Sequence, residues 1–233
     1  MPKLLTPRRR RGVEYLDSPD VDPTIVTRSL ADVARANALF GGTSCAIEEV
    51  KQALDGVGSV ATLLDVGTGL GDIPRRAREI AHQQGVQLTT IGLDAAAALA
   101  KASKSSVSFP VCGDALRLPF ANGSIDIVMC SQVLHHFGGK DALQLLREMN
   151  RVARVKVIVS DIRRSWLAAA GLWLVSFPLR FHAVSRHDGV VSVMRGFTPG
   201  ELADTVHNAV ARRPVAHRRR GFRVSTSWTP VRS

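Results

Sequence analysis

The stretch Leu63-Leu64-Asp65-Val66-Gly67-Thr68-Gly69-Leu70-Gly71-Asp72 most restricts what this chain can become. An apolar run ending in an acid and passing into alternate glycines reads as a buried strand entering a tight turn that opens a helix. One strand–helix unit later, Ile91-Gly92-Leu93-Asp94 reads as a second strand ending in an acid. That pairing suits an adenosine-type cofactor: glycines let backbone approach the ligand, and the acid grips ribose hydroxyls.

The spacing narrows the ligand. A dinucleotide fingerprint G-x-G-x-x-G places its third glycine at position 72, where this chain has Asp72. Asp65 and Asp72 flank the turn with negative charge, which opposes a pyrophosphate on a helix N-terminus and suits a cation. S-adenosylmethionine carries an ammonium and a sulfonium and no phosphate, so it is the expected cofactor, and a nicotinamide dehydrogenase is disfavoured.

The 233 residues suffice for one sizeable α/β domain, and 45% hydrophobic content supports a packed core. Cys45, Cys112 and Cys130 are widely spaced and odd in number, which indicates neither a zinc site nor a disulfide framework and fits a reducing cytoplasm. The N-terminus has no apolar signal core. The net charge of +11 is uneven: residues 141–233 hold 16 Lys/Arg against 6 Asp/Glu. Such asymmetry suggests an anionic surface as partner, either phospholipid or nucleic acid, or else a merely solvated basic face.

Residues 1–23 carry the run Arg8 to Arg11 and four prolines, and read as a flexible basic arm. Residues 24–233 read as one domain. Helices are expected over Thr24–Phe40 and Ser44–Leu54. An alternation follows. Strands are expected at Thr62–Val66, Thr89–Asp94, Val107–Cys112, Ile125–Ser131 and Val155–Ser160. Helices fall at Ile73–Gln84, Ala95–Ser103 and Lys140–Ala153. This implies a Rossmann-like parallel sheet with helices on both faces and a cofactor-binding core over 60–160. Residues 161–200 read as an acceptor lid or cap, and 201–233 as a closing helix and strands. In the last of these, Pro214–Arg219 and Phe222–Trp228 form an antiparallel hairpin at the sheet edge. Trp166 to Leu179 is apolar, uncharged and interrupted by Pro178. At about 21 Å it is too short for a bilayer core, and reads as a buried helix, an apolar lid or a membrane-dipping helix.

These residues together resemble class I S-adenosylmethionine-dependent methyltransferases over about residues 60–160. Asp65-Val66-Gly67-Thr68-Gly69-Leu70-Gly71 resembles their first motif, and Asp94 their ribose-binding acid. Gly113-Asp114-Ala115-Leu116, with Ser124-Ile125-Asp126-Ile127-Val128 after it, resembles the third. Cys130-Ser131-Gln132-Val133-Leu134-His135-His136-Phe137 looks like the segment after the fourth strand. The resemblance implies that Asp114 accepts from the adenine amino group, that the Ala115 amide donates to a ring nitrogen, and that backbone near Ser131 and Gln132 holds the methionine ammonium. It completes the expected cofactor set: Asp65, Gly67, Thr68, Gly69, Asp72, Asp94, Ala95, Asp114, Ala115, Ser131 and Gln132. No metal is expected. The family's Pro-Gly-Gly turn before the fifth strand is missing, since Ala153-Arg154-Val155 runs straight on. A narrower resemblance rests on Gly12-Val13-Glu14-x-Leu16-Asp17, Asn37-x-Leu39-Phe40-Gly41-Gly42, His187-Asp188-Gly189 and Arg195-Gly196-Phe197-Thr198. It points to small bacterial methyltransferases that accompany type III polyketide synthases, and implies a phenolic or quinone-like, lipidic small-molecule acceptor.

Methyl transfer asks mainly for alignment, but a phenol with pKa near ~10 benefits from a general base at neutral pH. Histidine suits that task. The candidates are His187, in the His187-Asp188-Gly189 turn, and His135 and His136, of which only one should face the acceptor. Arg195 and Asn37 are further candidates for holding the acceptor. Cys130, at an apolar strand end, is a poor nucleophile. Nucleic acid is a weaker reading, because Cys130-Ser131-Gln132-Val133 lacks the Asx-Pro-Pro-aromatic tetrad of base-directed enzymes and aromatics are only 5%. A protein that binds the cofactor without catalysis stays open. The basic C-terminal third and the apolar Trp166–Leu179 segment together suggest a cytoplasmic protein with peripheral contact to an anionic membrane.

Overall fold

The computed structural model describes residues 6–10, 12–17 and 21–231. Its elements run α1 (Pro23–Leu39), α2 (Gly42–Leu54), β1 (Val60–Val66), α3 (Asp72–Gln83), β2 (Gln87–Asp94), α4 (Ala97–Ala102), β3 (Phe109–Cys112), β4 (Ile125–Ser131), α5 (Gly139–Val152), β5 (Ala153–Ile162), α6 (Trp166–Ser176), α7 (Ala183–Arg195), α8 (Pro199–Val210), β6 (Ala216–Arg219) and β7 (Arg223–Trp228).

The strands form a seven-stranded sheet in the order β3-β2-β1-β4-β5-β7-β6. The first five are parallel, while β7 runs antiparallel to both β5 and β6. This is the expected α/β architecture with a C-terminal antiparallel hairpin at the edge. Chain order reverses between β1 and β4, so the crevice beyond their carboxyl ends is the topological switch point where such sheets bind ligands.

The strand pleat sorts the core into two layers. Leu63, Ile127, Met129 and Ile158 face Val50, Ala77 and Ala81 of α2 and α3. Their strand neighbours Leu64, Val128 and Val157 face Leu145, Leu146 and Met149 of α5 and Leu202 of α8. A buried carboxylate ties the hairpin to the first layer: Glu49 of α2 accepts from Ser225 Oγ at 2.6 Å and from Arg219 at 2.5 Å.

Several boundaries differ from the sequence reading, among them those of β3, β5 and α2. β3 begins at Phe109, because the Val107 amide is taken by the Ser103 carbonyl at 3.1 Å in the preceding turn. β5 extends over Ala153–Ile162, its added end paired with Arg223 and Val224 of β7. α2 starts at Gly42, after Gly41 at φ 75°.

Two corrections concern the cap. The Trp166–Leu179 segment is not a buried helix. α6 ends at Ser176, and Trp166, Leu167, Trp173, Leu174 and the following Phe177 are exposed. His187-Asp188-Gly189 is not a turn but the middle of α7. Gly189 is there for close packing: a Cβ on it would stand 2.7 Å from Leu172 Cδ2 of α6. Among the described residues no helix is long and apolar enough to cross a membrane.

The N-terminal arm, expected to be flexible, is packed in its described residues. Arg164 donates to the Pro7 carbonyl at 2.8 Å, the Arg10 amide to Met194 O at 3.2 Å, and Arg195 to Gly12 O at 2.6 Å. Arg9 lies 3.9 Å over the Phe197 ring. Arg11, residues 1–5 and the segment 18–20 lie outside the described residues.

The Glu49 anchor yields a stability prediction. Glu49→Ala leaves the Ser225 hydroxyl buried without its acceptor and should cost about 1–3 kcal/mol, read as a lower urea midpoint at unchanged slope.

Candidate functional site

The glycine turn between β1 and α3 is built for close approach. Gly67, Gly69 and Gly71 all have positive φ (75°, 56° and 76°), a region L-residues rarely adopt. Where a Cβ on Gly69 would stand there is open space, while one on Gly67 would meet Val133 at 2.4 Å. The Gly67 and Thr68 amides donate to Leu93 O, and the Gly69 amide to Asp94 Oδ2 at 3.1 Å, which joins the turn to the end of β2.

Three polar atoms at this crevice are buried and unpaired: Asp65 Oδ1, Thr68 Oγ1 and Ser131 Oγ. Burial pushes the Asp65 carboxyl up to about 7, and the nearby charges of Asp72 and Asp94 push the same way. Acceptors clustered beside an open glycine turn, each opposing the charge of the next, fit a ligand that presents an ammonium and hydroxyls. The crevice therefore suits S-adenosylmethionine.

The remaining expected cofactor residues rim the crevice. Asp94 Oδ1 accepts from the Ala96 amide at 3.1 Å, and each of its oxygens keeps a further lone pair. Ala95 is exposed behind it. Asp114 is exposed and accepts from the Leu116 amide at 2.8 Å, while Ala115 is buried. Asp72 opens α3. Gln132 sits at φ 57°, its amide bonded to Ser160 O at 2.8 Å. A non-glycine residue there is strained, and the strain turns the chain after β4 toward the second feature of the site.

That feature is a cavity of about 410 Å³ beside the crevice. Its walls come from α1, α6 and α7 and from the turn between β6 and β7, with Leu30, Leu167, Leu172, Phe181, Val193 and Phe222 giving an apolar body. Gln132, His135, His136, Glu14 and Arg223 give a polar end.

Here the histidines separate. Both His135 and His136 line the cavity, correcting the expectation that only one would, because a 3-10 turn over Leu134–His136 stacks their rings 4.2 Å apart. His135 is buried. Its Nδ1 donates to Asp161 Oδ1 at 2.7 Å and its amide to Asp161 Oδ2 at 3.1 Å. Its Nε2 has no partner. Burial opposes charge on Asp161, but His135 and the Ile162 amide hold that carboxyl below the ordinary range. His136 lies 3.7 Å from Glu14 and 3.3 Å from Arg195. His187 is absent from the cavity wall: it bonds Asp188 at 2.9 Å and packs edge-on to Tyr15, half-exposed. The helix rotates its side chain outward while Asp188 turns inward to accept from the Tyr15 and Leu16 amides.

Arg195 is spent on Gly12 O, Glu14 and His136 and does not line the cavity; Asn37 does. Cys130 is fully buried, and burial pushes its thiol well up. The sequence reading did not single out Asp161, Glu14 or Arg223 for roles. Only Glu14 left a signal, inside Gly12-Val13-Glu14.

Comparison with known proteins agrees with this geometry. The family model described as "Methyltransferase domain" matches residues 64–159. Norajmaline N-methyltransferase of Rauvolfia serpentina is 37% identical over 98 residues, covering 39% of this chain and 32% of that protein. The chain thus matches about a third of the length of that relative. Among solved structures, a SAM-dependent methyltransferase from Aquifex aeolicus superposes with TM-score 0.55 at 15% identity, covering 79% of this chain and 89% of that one. Magnesium protoporphyrin IX methyltransferase from Synechocystis PCC 6803, with bound SAH, gives 0.56 at 14% identity, covering 85% and 87%. At those identities the likeness is one of fold.

Asp65 makes the ligand-free protein pH-sensitive. Its folded pKa stands above its unfolded one, so its protonated form favours folding, and stability is lost as pH rises from about 4 through about 7. Asp65→Asn removes this. Thermal unfolding at pH 5 and pH 8 should show the wild type losing more stability than the variant, by at most about 3 kcal/mol.

Proposed function

We propose that this protein transfers a methyl group from S-adenosylmethionine to the hydroxyl of a small, largely apolar acceptor of phenolic or quinone-like, lipidic character. The observation that carries the reading is His135 Nε2: buried, unpaired, at the polar end of an apolar cavity that adjoins the cofactor crevice.

Asp65, Thr68, Ser131 and the glycine turn would hold the amino-acid end of the cofactor, and Asp94 its ribose. Asp114 and the Ala115 amide would hold its adenine. When bound, S-adenosylmethionine supplies a methyl group on a good leaving group, so the protein's task is alignment. The apolar wall from α1, α6 and α7 binds the acceptor body and excludes water. His135 Nε2 takes the hydroxyl proton as the oxygen begins to bond, and Asp161 holds the ring in the tautomer with Nδ1 protonated and Nε2 free to accept. His135 replaces His187 as the base in this reading.

Partner surface follows from α6. Its apolar outer face, backed by cavity residues Leu167 and Leu172, carries Trp173 and Leu174 to solvent, with Arg180 exposed and Arg186 stacked on Phe177 at its end. Apolar anchors beside arginines suit peripheral contact with an anionic bilayer, where a lipidic acceptor resides.

His135→Ala should retain S-adenosylmethionine affinity by calorimetry and lose about 10²–10⁴-fold in turnover of an alkylphenol, while His187→Ala stays within about twofold. Full turnover by His135→Ala would refute the base assignment, and absence of cofactor binding would refute the reading itself. Anionic vesicles at low salt should sediment the wild type, and Leu174→Ser with Phe177→Ser should weaken that by about tenfold.

A further inference from the structure

One charge in the cavity has no bonded partner among the described residues. Arg223, the first residue of β7, is 6% exposed and lines the cavity beside Phe222 and Ile162. Among the described residues its guanidinium makes no hydrogen bond and no ion pair, and its Nε is shut off from solvent without a partner. An arginine does not discharge itself in a protein, and an unpaired buried cation is among the costliest groups a fold can keep.

The carboxylates around it are engaged elsewhere. Asp161, whose field reaches Arg223, is bonded to His135 and the Ile162 amide. Glu14 is held by Ser192 and Arg195. Asp188 accepts from two amides of the N-terminal segment. Asp32 accepts from the His182 amide at 2.8 Å and pairs with Arg35. The fold thus keeps a rigid, five-donor cation at the wall of a cavity with an apolar body and bonds no carboxylate to it, the field of Asp161 being the nearest compensation.

We propose that Arg223 is the anchor for a carboxylate on the methyl acceptor, so that the acceptor is an amphipathic acid, an apolar body with one anionic end. The inference rests on the reading of the cavity as the acceptor site and narrows its substrate class. A guanidinium meets a carboxylate with two parallel N–H···O bonds, which fixes orientation as well as charge. The apolar body then lies along Leu172, Val193 and Phe222, which pack as one cluster under α6 and α7. The cofactor's own amino-acid carboxylate presents the same chemistry. Arg223 sits against that cap cluster, not in the glycine turn, which assigns it to the acceptor.

Calorimetry with decanoate, 1-decanol and S-adenosylhomocysteine on wild type, Arg223→Met and Arg223→Lys tests this. The wild type should bind decanoate about tenfold or more tighter than 1-decanol. Arg223→Met should erase that preference, keep S-adenosylhomocysteine affinity within about twofold, and melt no lower than the wild type, since it removes an unpaired buried charge. Arg223→Lys should keep part of the preference and serves if the methionine variant does not fold. Equal binding of acid and alcohol by the wild type overturns the proposal. So does a preference that survives Arg223→Met, or a loss of S-adenosylhomocysteine binding with the decanoate preference intact. Failure of the methyltransferase reading would appear separately, as absent S-adenosylhomocysteine binding in the wild type.

Discussion

The Asp161 carboxylate is the interaction on which the site depends. It lies at the end of β5, fully buried, and binds three groups at once: the His135 ring, the His135 amide and the Ile162 amide. Those bonds fix the turn after β4 against the end of β5. They also fix which nitrogen of His135 faces the cavity. Next along the same strand, Ile162 bears Arg223 from β7 and accepts from the Phe197 amide, which seats the cap. A single buried charge thus sets the register between the cofactor-binding sheet and the helices that cover it. Burying it is tolerable only because every bond it makes is short and internal.

Charge of opposite sign is distributed on either side of this point. Toward the crevice, Asp65, Asp72 and Asp94 repel one another, and burial keeps Asp65 poorly ionised. Toward the cavity, Arg223 is a buried cation that no carboxylate among the described residues bonds. Each half of the site is destabilised alone in a way a ligand of complementary charge relieves. This is the usual signature of a binding site kept at some cost to the fold.

The sheet was legible in the sequence because its signals are local. An apolar run, a glycine turn and an acid at a strand end follow from backbone geometry alone, and the closing hairpin showed itself at Arg220-Gly221. The cap was not legible in the same way. Gly189 resembles a turn residue in one dimension, and only the approach of Leu172 from another helix explains it. The Trp166–Leu179 segment has the composition of a core helix, and nothing local says that its outer face meets solvent. The site divided along the same line. The crevice residues lie in contiguous motifs. His135 was one of three candidate histidines, and the features that set it apart from His187, Asp161 behind it and a cavity before it, are separated from it by strands and helices.

Gly221 carries a consequence for how the molecule is made. Its Cα packs so closely on the link between α1 and α2 that a Cβ would stand 1.8 Å from the Phe40 carbonyl oxygen. The last hairpin therefore rests on the first helices. The cofactor crevice is assembled from residues 65 to 132, a continuous stretch that a ribosome delivers early. The cavity takes residues from Glu14 to Arg223, so it can close only after Arg223 has emerged and packed near Glu14. During synthesis the glycine-turn crevice is thus able to form well before the cavity beside it can close.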